Sequence, residues 1–247
     1  MSASAVEVVR TITGIRLRSE SDFISSRRLA SLPKAMAANA DELTLDVVLQ
    51  AFAEDEAVQA RIIAGLENIL QHYNPKTPRP GNWYQGLITL PNHLGAVGLL
   101  MEDHLPGEVL SRLKETLRNE LSPELVLTGT NASWEARNHI YLALLDRDPK
   151  RLERAAEYVF RSVRYGPRQG IREDYAYLFH GHIPYAGGYG AGFSQTVAEF
   201  IYVFDETPWS IKPVHREIIR NLLMEHTRWF LADGKIVQAA LRLGTPI

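Results

Sequence analysis

The chain has 247 residues, 45% of them hydrophobic, a formal net charge of −2 and no cysteine. That is enough apolar material for a sizeable core, in one large domain or two small ones. It excludes a disordered chain, a disulfide framework, a thiolate metal site and a cysteine nucleophile, while the near-neutral charge excludes a general nucleic-acid binder and leaves open only a local basic groove. No run of about 18 apolar residues occurs, and the start, MSASAVEVVRTITG, has no long apolar stretch behind basic residues. No membrane partner and no secretion signal are therefore expected, and the chain reads as cytoplasmic as written.

Taken in chain order, the pattern predicts amphipathic helices around 42–53, 55–73 and 86–102. A further helix opens at Pro106 and carries Val109, Leu110, Leu113 and Leu117, and another is expected around 132–146. Asp148-Pro149 is a good cap and first-turn pair. After it Leu152, Ala155, Ala156, Val159, Phe160 and Val163 recur at helical spacing until Tyr165-Gly166. Phe193, Val197, Phe200, Ile201 and Phe204 mark the next helix, and 213–232 the last. Strand-like alternation is nearly absent, so the fold class is all-α: a succession of helical hairpins with short connections, in a single helical domain over 1–247.

Three segments break this rhythm, roughly fifty residues apart: Asn74 to Trp83, Leu127 to Trp134, and Asp174 to Gly190. The third packs two histidines, four tyrosines and four glycines into seventeen residues, DYAYLFHGHIPYAGGYG. Glycines let the backbone turn sharply or approach a ligand, and His180 and Tyr189 are side chains suited to moving protons. If each segment caps the same end of successive helix pairs, the three would share one cleft.

In order, these segments resemble the helical catalytic domain of polysaccharide lyase family 8, the hyaluronate, chondroitin AC and xanthan lyases, over about residues 80 to 245. The family's Asn-Trp-Trp segment and Pro-bearing helix are matched by Asn82, Trp83, Tyr84 and Pro91, and its Thr-Gly-Ala-Asn segment by Thr128, Gly129, Thr130 and Asn131. Its His-bearing segment is similar to Asp174, Tyr177, His180, Pro184, Tyr185, Gly188, Tyr189 and Gly190, and its Gly-Thr-Pro-Trp turn to Glu206-Thr207-Pro208-Trp209. Leu87 and Thr89 stand where the family has Glu and Gly, and Pro246 stands where it has the second of two arginines, Arg242 matching the first.

The resemblance implies an (α/α) toroid, incomplete here, and β-elimination at a uronic acid. It gives Asn131 the neutralising of the uronate carboxylate, Tyr189 the protonation of the leaving oxygen, Tyr189 or His180 the removal of the C5 proton, and Arg242 electrostatic help. The residue types suit this chemistry: a carboxylate must take on further negative charge in the transition state, and an amide donor stabilises it. A free tyrosine near pKa 10 needs cationic support to act as base, whereas a histidine near 6.5 is available neutral. Asn82, Trp83, Tyr84 and Tyr185 would seat the sugar. Trp83 and Tyr84 follow a proline-rich break, which predicts partial exposure. The partner implied is an acidic, uronate-containing polysaccharide, with no cofactor and no metal. Family members are mostly secreted and continue into a β-sandwich region, so this chain would be a fragment, would await a β-sandwich chain, or would self-associate through an exposed apolar edge.

Other readings stay open at this point. Asn131 could be a turn asparagine serving a local helix cap, and Arg242 a solvated helix-end side chain. His180-Gly181-His182 could hold a metal, although no third ligand lies at suitable spacing. Glu173 and Asp174 could serve glycoside hydrolysis, although sequence neighbours rarely flank one bond. The chain could also be a catalytically weak helical module that binds acidic polysaccharide or a partner chain.

Overall fold

The computed structural model describes residues 55–77, 82–166, 168–232 and 235–236. The helix expected around 42–53 and Arg242 lie outside the described residues. Backbone contacts divide the chain into two compact units, one reaching to Leu121 and including Leu144–Arg147, the other formed by Ser122–Ala143 and the chain from Asp148 onward.

In the first unit, α1 (Glu56–His72) begins at Asp55, whose carboxylate accepts from the backbone N–H groups of Ala57 and Val58 at 3.0 and 3.1 Å. The helix expected over 86–102 is built in two parts: a π-helical turn, Gln85–Thr89, and α2 (Leu90–Leu100). Pro91 accounts for the break. It has no N–H to return toward Gly86 or Leu87, so the preceding turn widens, and the Tyr73 hydroxyl donates to the Gly86 carbonyl instead, at 2.6 Å. α3 (Gly107–Glu120) closes the unit by burying Val109, Leu113 and Leu117.

In the second unit, α4 (Thr130–Asp146) is buried on almost every side, and its last turn belongs to the first unit. α5 (Pro149–Arg161) is capped by Asp148, whose carboxylate accepts from the Arg151 N–H at 3.0 Å. Its expected stripe of Leu152, Ala155, Ala156, Val159 and Phe160 is buried. The helix stops at Arg161, short of Tyr165, yet Val163 stays buried in the turn that follows.

α6 (Tyr189–Val203) and α7 (Pro213–Asn221) complete the helices. Phe200 stacks on Phe204 with ring centroids 5.6 Å apart, and Phe204 meets Phe160 edge-on at 6.3 Å. Each such ring contributes roughly 2 kcal/mol by leaving water. The helix expected to run over 213–232 ends at Asn221 and passes through a π turn (Leu222–His226) and a 3-10 turn (Thr227–Phe230) into a short hairpin, Leu231–Ala232 with Lys235–Ile236. Among the described residues no helix is long and apolar enough to cross a membrane.

The chain between α5 and α6 forms a three-stranded antiparallel sheet: β1 (Gly170–Ile171), β2 (Tyr177–Phe179) and β3 (Ile183–Pro184). Gly170 pairs with Leu178, and Phe179 with Ile183. Strands of two and three residues are too short to produce an alternating pattern, which is why the sequence reads there as a loop. Pro184 is admissible because β3 is an edge strand.

Candidate active site

His180-Gly181-His182 is the three-residue tip of the β2–β3 hairpin. His180 adopts a left-handed backbone, φ +50°, which costs a residue with a Cβ on the order of 1 kcal/mol and occurs where the surroundings enforce it. Here the tight hairpin turn sets the backbone, and the side chain's surroundings are aromatic. Its imidazole meets Phe179 edge-on at 4.9 Å, Tyr189 at 5.2 Å with planes at 87°, and Tyr185 at 6.4 Å.

Tyr189 is the centre of this cluster. Its ring stacks on Phe179 at 3.8 Å and 20°, meets Tyr185 edge-on at 5.1 Å, and lies 5.8 Å from Trp134. His180, Tyr185 and Tyr189 are therefore brought together at the N-terminus of α6. His180 is exposed and Tyr189 half-buried, so the pair borders solvent.

The second motif segment is fastened to the same place. The Thr130 hydroxyl donates to the Tyr189 carbonyl at 2.7 Å and lies 2.6 Å from the Tyr177 hydroxyl. Gly129, φ +58°, sits where an added Cβ would come within 2.8 Å of the Phe179 ring. Just before it, Leu127 is held twice: its N–H donates to the Glu135 carboxylate at 3.0 Å, and its carbonyl accepts from Tyr158 at 2.6 Å. Burial raises the pKa values of both Glu135 and Tyr158, as it does that of Tyr177.

Asn131 follows Thr130 in the first turn of α4, and its side-chain oxygen is buried with no hydrogen-bond partner. It does not serve as a local cap. The first turns of α4 and α6 thus meet, and the positive ends of two helix dipoles lie beside an unsatisfied amide. Thr130, Phe179, Trp134 and Tyr177, which build the walls, carry no signal of that role in the sequence. Only Thr130 and Tyr177 fall on motif positions.

The sugar-seating candidates divide between the units. Tyr185 belongs to the cluster just described. Asn82, Trp83 and Tyr84 belong to the first unit, where Trp83 is 52% exposed and meets Tyr84 edge-on at 5.9 Å. Asn82 accepts from the Gln85 N–H at 3.0 Å and so starts the π turn. Glu173 and Asp174 are both exposed, and Asp174 accepts from the Ala176 N–H at 3.1 Å.

Comparison with known proteins places the chain in a family. The family model of the polysaccharide lyase family 8 N-terminal α-helical domain matches residues 27–240. The chondroitinase-AC of Pedobacter heparinus is 26% identical over 176 residues, which cover 68% of this chain and 25% of that protein. The xanthan lyase of Bacillus sp. GL1 is 23% identical over 171 residues, covering 67% of this chain and 18% of that one. The chain therefore spans about a quarter or less of the length of these relatives. Among solved structures, the Streptomyces coelicolor A3 chondroitin AC lyase in complex with chondroitin sulphate superposes with a TM-score of 0.70 at 20% identity, over 76% of this chain and 26% of that one. The Paenibacillus xanthan lyase gives 0.69 at 16% identity, over 98% and 21%. By a family match that runs through both motif segments and most of the chain, this protein belongs to polysaccharide lyase family 8, as its N-terminal α-helical domain.

Proposed function

We propose that the chain takes part in cleaving a uronic-acid-containing polysaccharide by β-elimination, as its chondroitinase-AC and xanthan lyase relatives suggest by name. Asn131 neutralises the uronate carboxylate, aided by the positive ends of α4 and α6 and, from outside the described residues, by Arg242. His180 or Tyr189 takes the proton from C5. The C5–H electron pair becomes the C4–C5 double bond as the C4–O bond breaks, and Tyr189 protonates the departing oxygen. One phenol serves both ends of the step if it acts first as base, whereas His180 as base leaves Tyr189 protonated throughout. Tyr185 offers its ring to a sugar beside His180 and Tyr189, and the family resemblance gives Asn82, Trp83 and Tyr84 of the first unit a sugar-seating role of their own.

The observation that carries this reading is the joining of the two motif segments. The Thr130–Tyr189 bond brings the α4 N-terminus, with Asn131's unpaired amide oxygen, to the residue whose ring touches His180. A buried polar atom without a partner is costly in a structure that has no use for it. The amide N–H groups of the same side chain are the donors a carboxylate needs.

The test is absorbance at the unsaturated-uronate band while the protein is incubated with hyaluronan, chondroitin sulphate and xanthan. A rise with one polymer is expected, reduced at least about a hundredfold in His180→Ala and Tyr189→Phe and by a similar factor in Asn131→Ala. A flat trace with every polymer from folded protein overturns the reading. Polymer binding without product would instead favour a binding module.

A further inference from the structure

The segment Leu125–Gly129 and the chain from Arg161 to Gly170 enclose a cavity of about 640 Å³. Its wall carries Arg161, Arg164 and Arg168 and no acidic side chain. All three are exposed, and among the described residues none of them enters an ion pair. Arg161 instead lies over the Tyr158 ring, 5.5 Å from its centroid. A second cavity, of about 420 Å³, shares Leu125, Tyr158 and Arg161 with the first and adds Arg151 and Arg154 against Glu124 and Glu157. Arg151, Arg154, Tyr158 and Arg161 follow at spacings of three, four and three, hence on one face of α5 over about 15 Å. In a chain of formal net charge −2, this concentration of guanidinium groups in a concave wall runs against the overall sign and focuses a positive field.

The cavity adjoins the candidate active site. Thr128 and Gly129 line it and lead directly into Thr130 and Asn131. Gly170 lines it too, and pairs in β1 with Leu178 of the strand that ends at Phe179, the residue before His180. A polymer with a charged group on successive sugars, lying with one uronate at Asn131, would extend naturally past this wall. We infer that Arg161, Arg164 and Arg168 form a subsite for a second anionic group, a carboxylate or sulphate, on a sugar flanking the one cleaved. Its occupant is an acidic polysaccharide, so the inference rests on the substrate class proposed above but not on turnover.

Binding is measured at equilibrium with chondroitin sulphate oligosaccharides, using the full chain in the His180→Ala background so that the probe is not consumed. Replacing Arg161, Arg164 and Arg168 together by Gln is expected to weaken binding about tenfold at low ionic strength and less in high salt, with helical content unchanged. Arg168→Gln alone, in an exposed connection, guards against a folding defect and should weaken binding about twofold. Equal affinity with and without the arginines, or no binding in either case, overturns the inference. So does single-stranded DNA of matched charge binding as tightly, which would make the groove a general polyanion site. Arginine-dependent polysaccharide binding with no unsaturated product from the unmutated chain would remove the elimination reading and leave the subsite standing.

Discussion

The hydroxyl of Thr130 stands between Tyr177 and Tyr189, donating to the backbone carbonyl of Tyr189 at 2.7 Å. A hydroxyl has one proton to give, so the 2.6 Å contact with Tyr177 runs the other way, with the buried phenol donating to Thr130. Burial, which pushes the Tyr177 pKa up, keeps that phenol protonated and able to donate. Replacing Thr130 with Val removes both side-chain bonds at this junction, at a cost of about 1–3 kcal/mol. Because the tie between the Tyr189 carbonyl and the first turn of α4 is then lost, turnover should fall by more than the stability loss explains. Thr130→Ser restores both. Chemical denaturation and product absorbance measured together check this, and a Thr130→Val protein that unfolds like the unmutated chain would refute it.

Gly129 tests the same junction from the backbone side. Its φ of +58° and the 2.8 Å approach of an added Cβ to Phe179 make Gly129→Ala costly on two counts, about 1–3 kcal/mol together. Phe179 stacks on Tyr189, so the displaced ring should also depress turnover. Gly65 provides the contrast: it lies within α1 with nothing within 4 Å of an added Cβ, so Gly65→Ala should stabilise by about 0.5–1 kcal/mol. Urea midpoints for the two variants should move in opposite directions.

The helices were legible because their chemistry is local. The α5 stripe from Leu152 to Phe160 and the Asp148 cap need no knowledge of the rest of the chain, and both stand as read. The π turn at Gln85–Thr89 follows from Pro91, but its stabilisation by Tyr73 depends on a contact thirteen residues away. The small sheet escaped because its strands offer no period, so the His180-Gly181-His182 tip looked like loop. Within the candidate site, His180 and Tyr189 stood out by residue type and by family resemblance. Thr130 fell on a motif position with no role attached, since what it does is decided by a partner fifty-nine residues away. Arg161, Arg164 and Arg168 form no pattern in the sequence that sets them apart, and become a group only because the fold sets Leu125–Gly129 beside them.

Below the site, Arg137 of α4 and Glu199 of α6 form a buried ion pair at 3.4 Å, with Gln195 donating to the other carboxylate oxygen at 3.2 Å. Removing one partner takes this ion pair from a charge held in the interior, so Glu199→Ala should lose about 3 kcal/mol. Glu199→Gln, which keeps hydrogen-bonding capacity, should lose less. Arg137→Met combined with Glu199→Leu should recover most of the loss, since a well-packed apolar pair avoids the desolvation of both charges. Denaturation midpoints of the three variants at constant m-value decide the point.

His139 on α4 predicts how stability responds to acid. It is buried, its Nε2 has no partner, and burial, reinforced by Arg151 and Arg154, lowers its pKa to about 4. The unfolded chain takes up a proton near pH 6.5 while the folded chain resists until about pH 4, so between these values the unfolded state binds more protons and stability falls as pH falls. The loss approaches roughly 3 kcal/mol at the lower end of that window. Glu135 has the opposite sign: its raised pKa favours the folded state at low pH, and that contribution disappears as pH rises through its folded value. The two partly offset in the whole protein, so the informative quantity is the difference between the unmutated chain and His139→Leu. Urea denaturation of both from pH 7 to pH 4 should show the variant losing less stability over that range, and parallel curves would mean that His139 is not held neutral.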